Sequence, residues 1–374
     1  MKYALLISRN VFGLVFIFSG FVKAIDPLGF AYKLDDYFIA FGTEWMMPLS
    51  LPLSILVNTA EMLVGFAILL GIKMKVSAWG GLLFMAFFTP LTLYIAIFNP
   101  VTDCGCFGDA IKISNWGTFY KNIVFLALAV FIFIFRHKVK PFWSETKDWY
   151  LLLAGGLAGI LLAVYCLRNL PIIDFRPWKV GNNVLELMEG EPEEAEFFLI
   201  FKNNQTGELA EYLATNYPWD DEEWNQKWSF KEQKIKVIKP GMPAPIEGFM
   251  ISDQMGNDIT EELLLNPDYL FIVVAYDLKK ANRKSFINRV NPLAEEAIQE
   301  GYYFFTLTSS SWSVIDQFVE ENGLDFSFYQ SDDVNLKTII RSNPGLVLMK
   351  NGEVIAKWAH RNIPNFEAIK KKHF

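Results

Sequence analysis

The residues best suited to chemistry in this 374-residue chain are its three cysteines, Cys104, Cys106 and Cys166. Two of them stand in Asp103-Cys104-Gly105-Cys106-Phe107-Gly108-Asp109. Thiols one residue apart can close a small ring. Such a ring tends to be strained, and a strained, exposed disulfide is labile and oxidising rather than structural. Gly105 removes the Cβ that would crowd the ring, and Gly108 eases the following turn. Three chemistries stay open: thiol–disulfide exchange, an inert bridge (local, or a cross-link to Cys166), and metal ligation. Metal ligation has the least support, because two thiolates need further ligands and His137, His360 and His373 lie elsewhere. Asp103 and Asp109 should raise the thiol pKa and favour the disulfide as the working form. Cys166 alone reads as a small apolar helix residue, with a resolving thiol as the other option.

A second group of candidates lies inside apolar sequence. Five stretches, roughly 3–22, 48–71, 76–98, 117–135 and 149–167, are long enough or nearly so to cross ~30 Å of hydrocarbon. The first is read as an uncleaved helix, since no small-residue cleavage site follows it. Ionisable groups at membrane depth are costly and point to function or to specific packing. By helical rise, Glu61 lies ~13 Å and Arg9 ~8 Å from the same membrane face. The expectation is a Glu61–Arg9 pair, either fixing helix packing or relaying a proton or substrate. Lys23 and Lys121 sit near span ends, where snorkelling accounts for them. Gly65, Gly80, Gly81, Gly155, Gly156 and Gly159 read as close helix contacts.

Lys2, Arg9, Lys73, Lys75, Arg136, Lys138, Lys140 and Lys147 fall on one side by parity, which makes that side cytoplasmic. The N-terminus is then cytoplasmic. The loop with Cys104 and Cys106, the end of the fifth span and everything after it face outward. In a Gram-negative cell this means the inner membrane with a periplasmic C-terminal half. Disulfides persist in that compartment.

Composition agrees with two kinds of domain. The chain is 52% hydrophobic and 20% charged. Residues 1–170 carry 13 Lys/Arg against 9 Asp/Glu, and residues 171–374 carry 21 against 32. A basic apolar half followed by an acidic half is a membrane domain joined to a soluble one, which excludes a single soluble domain and a disordered chain. An acidic soluble half without a basic stripe excludes nucleic acid as a partner.

Phe18-Ser19-Gly20-Phe21-Val22-Lys23 with Asp26-Pro27 resembles the DoxX family. The polar stretch around Glu61 and the Asp103-Cys-Gly-Cys-Phe-Gly108 loop are similar to its relative, the MauE (methylamine utilisation) membrane proteins. The resemblance covers residues 1–138. It implies a four-helix membrane domain that assists redox processes, with a disulfide-handling role for Cys104 and Cys106. Nothing in the sequence points to methylamine as substrate.

Residues 139–170 form a cytoplasmic loop and the fifth span. Pro171 to Pro177 reads as an exposed, extended linker. Residues 171–240 are an acidic linker and small β region with one clear strand at 197–201 and no chemical motif. The run Glu189, Glu191, Glu193, Glu194 and Glu196 is a solvated segment rather than a calcium site. From 241, strand-like runs at 269–276, 302–308, 345–349 and 353–358 alternate with helix-like runs at 283–300, 311–322, 334–342 and 364–373. Asn351-Gly352 marks a hairpin. This order gives a small α/β sandwich. With Gly241-Met-Pro-Ala-Pro245 and Asn343-Pro344-Gly-Leu-Val, residues 241–374 resemble a thioredoxin-like domain, in which Pro344 matches the cis-proline beside the redox site. The family's Cys-x-x-Cys place reads Asp277-Leu278-Lys279-Lys280-Ala281-Asn282, and no cysteine follows Cys166. This domain cannot run dithiol chemistry itself; it binds a partner or presents a client chain.

No phosphate loop, zinc helix or nucleophile elbow occurs. Ser309-Ser310-Ser311 is a loop and helix cap rather than a nucleophile. The reading is a polytopic membrane protein whose Cys104/Cys106 pair exchanges disulfides with outward-facing partner proteins. The alternatives are a membrane scaffold that holds a partner through the thioredoxin-like domain, and a small-molecule carrier using Glu61 and Arg9. No cofactor is indicated; a quinone in the bilayer would complete the electron balance, but no sequence feature locates one.

Overall fold

A computed structural model describes residues 1–140, 145–190 and 193–374. They form two compact units, Asn182–Phe249 and the remainder of the chain.

The first unit begins with helices. They are α1 (Lys2–Ile25), α2 (Pro27–Ala40), a short 3-10 turn (Glu44–Leu49), α3 (Ser50–Leu70), α4 (Met74–Phe98), α5 (Asn115–Phe135) and α6 (Glu145–Arg168). Five helical segments among the described residues are long and apolar enough to cross a membrane: Lys2–Ile25, Glu44–Leu70, Met74–Phe98, Asn115–Lys138 and Lys147–Arg168. Many large apolar side chains on them stay exposed, among them Leu14, Leu56, Leu83, Phe87, Ile134 and Leu153. Lipid can cover such faces and water cannot do so without cost. The protein is a multi-pass membrane protein.

Small residues set the closest packing. A Cβ added at Gly13 would lie 2.8 Å from the Gly65 carbonyl, and one at Gly20 would lie 2.8 Å from that of Asn58. As the α1 number rises its α3 neighbour's falls, so the two helices run antiparallel, backbone against backbone. Gly155, Gly156 and Gly159 give α6 a similarly close seat on Leu63 and Thr59 of α3. Of the close contacts expected from the sequence, Gly65, Gly155, Gly156 and Gly159 are among these, and Gly80 and Gly81 of α4 sit close to Val64 and to Ile68 and Phe12; Gly13 and Gly20 are additions.

Helix α2 lies in what reads from sequence as a loop. Asp26 caps it by accepting from Gly29 N at 3.0 Å, and Pro27 takes the first turn. It is shorter and less uniformly apolar than the spans.

The same unit resumes at Met250. It contains α9 (Thr260–Leu264), β4 (Tyr269–Val274), a helical stretch running through α10 (Arg283–Ser285), a wider turn (Phe286–Val290) and α11 (Asn291–Gln299), then β5 (Tyr303–Thr308) and α12 (Trp312–Asn322). There follow β6 (Ser327–Gln330), α13 (Asp333–Ile339), β7 (Gly345–Lys350), β8 (Glu353–Ala359) and α14 (Phe366–His373). The sheet order is β6-β5-β4-β7-β8. β6, β5 and β4 are parallel; β7 runs antiparallel to β4, and β8 turns back antiparallel to β7 as the second strand of a hairpin. Asn351 and Gly352 both take positive φ, 48° and 78°, as a two-residue hairpin turn of the primed type requires. Phe271, Phe286, Phe304, Leu346 and Phe366 fill the core. The strand-like and helix-like runs expected here are all present; β6, a four-residue edge strand, is an addition.

The segment after α6 differs from expectation. Instead of an exposed linker, Arg176 and Trp178 are buried. Asp174 accepts from Arg176 Nε at 2.7 Å and Lys357 Nζ at 2.8 Å, and Arg176 Nη1 reaches the Thr338 carbonyl at 3.1 Å. Gly181 N then pairs with the Val354 carbonyl at 2.8 Å. The proline signal speaks only to the local chain, which here bends and turns rather than staying extended. It carries no information about a lysine 183 residues away.

The second unit holds α7 (Val184–Met188), β1 (Glu194–Asn203), β2 (Leu209–Leu213), α8 (Glu222–Lys227) and β3 (Trp228–Lys239), with an antiparallel sheet in the order β2-β1-β3. The expected strand is the middle of β1. Phe201 packs against Trp224 and Tyr217 with ring centroids 4.7 and 5.4 Å apart, a small aromatic core. β3 is almost wholly exposed, which explains why it lacks a hydrophobic alternation readable in the sequence. Glu191 of the acidic run lies outside the described residues.

Candidate functional site

Cys104 and Cys106 are bonded to each other in a turn between α4 and α5. Gly105 between them has φ +66°, and a Cβ there would lie 2.8 Å from Lys33 Cγ, so both backbone and space demand glycine. Both cysteine carbonyls are held from outside the turn. Tyr37 Oη of α2 donates to the Cys104 carbonyl at 2.9 Å, and Ser19 Oγ of α1 donates to that of Cys106 at 2.7 Å. Burial, then the Asp103 and Asp36 carboxylates, push the Tyr37 phenol above its ordinary pKa, which keeps it a donor. Cys104 is buried and Cys106 only partly so.

The flanking acids are engaged by cations. Asp103 accepts from Gly105 N at 2.8 Å and pairs with Lys33 at 3.3 Å. Asp109 pairs with Arg341 Nη2 at 3.5 Å; burial followed by Asp26 still leaves its carboxyl above the usual range, against the pull of Arg341. The sequence suggested bare carboxylates that raise the thiol pKa. Their pairing with Lys33 and Arg341 weakens that effect.

The expected Glu61–Arg9 pair does not form. Glu61 is paired with Lys23, and both side chains are buried. Arg9 instead donates to the Ile68 and Leu69 carbonyls at 2.9 and 3.0 Å, closing the C-terminal end of α3. The reason is side-chain direction. Each helical Cβ tilts toward its own N-terminus. In antiparallel α1 and α3, Lys23 therefore leans down toward Glu61 and Glu61 leans up toward Lys23, while Arg9 leans away. Depth by helical rise ignored this tilt. Lys23 is accordingly not a snorkelling residue; it also lies 4.9 Å from the Phe30 ring centroid. The carrier reading through Glu61 and Arg9 loses its geometric basis.

A cavity of about 400 Å³ lies beneath the disulfide turn. Its wall includes both cysteines, the Lys23–Glu61 pair, Lys121 and Tyr37. Lys121 Nζ sits 4.4 Å from the Phe107 ring centroid. A second space of about 510 Å³ separates the outer side of the turn, at Asp103 and Gly105, from α13, and contains Asp26, Lys33 and Arg341.

Cys166 is buried and unbonded, as a small apolar helix residue would be. The Asn343–Pro344 peptide is cis. Asn343 Nδ2 donates to the Asp277 carbonyl at 2.8 Å and its carbonyl accepts from Asn282 N at 3.1 Å, so the Pro344 loop adjoins the Asp277–Asn282 segment. The sequence reading gave no role to Tyr37, Ser19, Lys33 or Arg341; Ser19 lies in the Phe18–Lys23 motif, and the other three belong to none. Among the described residues no group of three or more His, Cys, Asp or Glu is placed to hold a metal.

Helices with lipid-compatible faces, a buried ion pair between two of them and a disulfide turn capping a cavity define a helical membrane domain with a sulfur site at one end. Residues 1–135 match the model of the family described as Methylamine utilisation protein MauE. No curated protein and no solved structure matches the chain.

Proposed function

We propose that the protein is a membrane-bound thiol–disulfide exchanger acting on client proteins outside the cytoplasm through Cys104 and Cys106. The observation that carries this reading is the disulfide itself, set at the end of the helical bundle with Cys106 only partly buried. A client thiolate attacks Cys106 Sγ, the S–S bond breaks, and Cys104 leaves as the thiolate. A second client thiol then displaces Cys106, so the client gains a disulfide and the pair becomes a dithiol. The Lys/Arg distribution supports an outward-facing turn in the bacterial inner membrane. The order of helices and strands over residues 241–374 supports a thioredoxin-like domain that has lost its own thiols and holds the client. Its α13 end is tied beside the disulfide turn by Arg341. Methylamine utilisation, the process in the family's description, is one setting in which such exchange would serve.

The test is trapping. With Cys104→Ala or Cys106→Ala, the remaining thiol should hold clients as mixed disulfides on non-reducing gels. Their absence, with an unaltered phenotype, would favour the scaffold reading, in which the pair only staples the turn.

A further inference from the structure

Exchange with a client leaves two thiols, and a second turnover needs an acceptor for two electrons and two protons. We propose that the cavity beneath the disulfide turn binds the ring of a membrane quinone, which is that acceptor. The inference rests on the exchange reading above and names the oxidant of the same site.

Four observations converge. The cavity lies among helices α1 to α5, and its volume of about 400 Å³ is within the range of small-molecule sites. Both sulfur-bearing residues belong to its wall. The rest of the wall is dominated by flat and aliphatic side chains such as Phe30, Phe84 and Phe88, suited to an apolar ring. Phe87 of α4 and Phe41, in the turn after α2, line it and are also exposed at the surface, which gives the cavity an apolar mouth suited to lipid.

The polar groups select the ring over a lipid tail. Lys121 lines the cavity over the Phe107 ring and within the field of the Glu61 carboxylate, but among the described residues no hydrogen bond or close ion pair engages its ammonium. A quinone carbonyl supplies the missing acceptor, whereas an acyl chain would leave the donor unsatisfied. Glu61 and Lys23 stand in the same wall as a buried ion pair. In the step itself the Cys104–Cys106 S–S bond forms as the two thiols give up two electrons and two protons. The two quinone oxygens take them and become hydroxyls.

The experiment uses the full-length protein in detergent, reduced, freed of reductant and mixed anaerobically with decylubiquinone. The expected result is one quinone reduced per protein, with loss of both thiols. Val57→Trp and Leu91→Trp, which fill the cavity from two different helices, should each slow the reaction at least tenfold. Both should leave oxidation by glutathione disulfide unchanged. In a separate arm, a Cys104→Ser/Cys106→Ser protein, unable to react, should still bind decylubiquinone saturably by fluorescence quenching, and the added Val57→Trp should abolish that binding. Thiols that react with glutathione disulfide but not with the quinone overturn the quinone inference and leave exchange standing. Quinone reduction or binding indifferent to both filling substitutions overturns it as well. Thiols inert to both oxidants overturn the exchange reading.

Discussion

Arg341 and Asp26, 315 residues apart, meet with Arg341 Nε at 3.0 and 2.9 Å from the two carboxylate oxygens. The arginine is buried and follows α13; the aspartate caps α2 and is mostly covered. One contact thus ties the C-terminal α/β layer to the helical bundle beside the disulfide turn. Asp109 and the Tyr32 ring, 5.4 Å from the guanidinium, complete its surroundings.

Removing one partner of a buried pair leaves the other charge uncompensated, at a cost of about 3–5 kcal/mol. Arg341→Met should therefore lower the thermal unfolding midpoint of the solubilised protein sharply, and Asp26→Asn by less because Arg341 keeps Asp109. The double variant should be more stable than the sum of the single losses. Strict additivity would show that the two residues do not interact in solution.

Lys23 and Glu61 should behave the same way. Lys23→Met or Glu61→Gln alone should destabilise the bundle, and the double variant should recover part of the loss, with a coupling of about 0.5–3 kcal/mol. Arg9→Gln should show no coupling to Glu61→Gln. Coupling found with Arg9 instead would restore the pairing expected from helical rise.

Gly105→Ala forces an L-residue into positive φ and drives its Cβ against Lys33. The backbone effect alone is about 1–2 kcal/mol. The variant should hold less of the Cys104–Cys106 disulfide at a fixed glutathione ratio, read by mass-tagging of free thiols. An unchanged disulfide fraction would mean that the turn tolerates a side chain.

Asp174 predicts a pH dependence. Burial would raise its pKa, but Arg176 and Lys357 outweigh burial and hold it at about 2, below the ordinary 3.8. A depressed carboxylate pKa adds stability that is complete above about pH 4 and is lost as the pH falls through about 2, a difference of about 2 kcal/mol. In Asp174→Asn the unfolding midpoint should be lower at neutral pH, and its fall between pH 4 and 2 should be shallower than in the unsubstituted protein. Parallel pH profiles would remove Asp174 as the cause.

The sequence by itself determined the five spans, the α/β order of the C-terminal region, the hairpin at Asn351-Gly352 and the nearness of the two sulfurs. Each follows from local periodicity, composition or adjacency, which the chain carries wherever it is placed. Tertiary structure alone decided that Glu61 pairs with Lys23, that α2 supplies Tyr37 to the turn, that Arg176 and Trp178 are buried, and that Arg341 reaches Asp26. Those outcomes depend on which way a side chain leans and on which distant element packs against it. Neither quantity is a property of a short window of residues. The cavity under the sulfurs belongs to the same class, since five helices and one turn must meet before it exists.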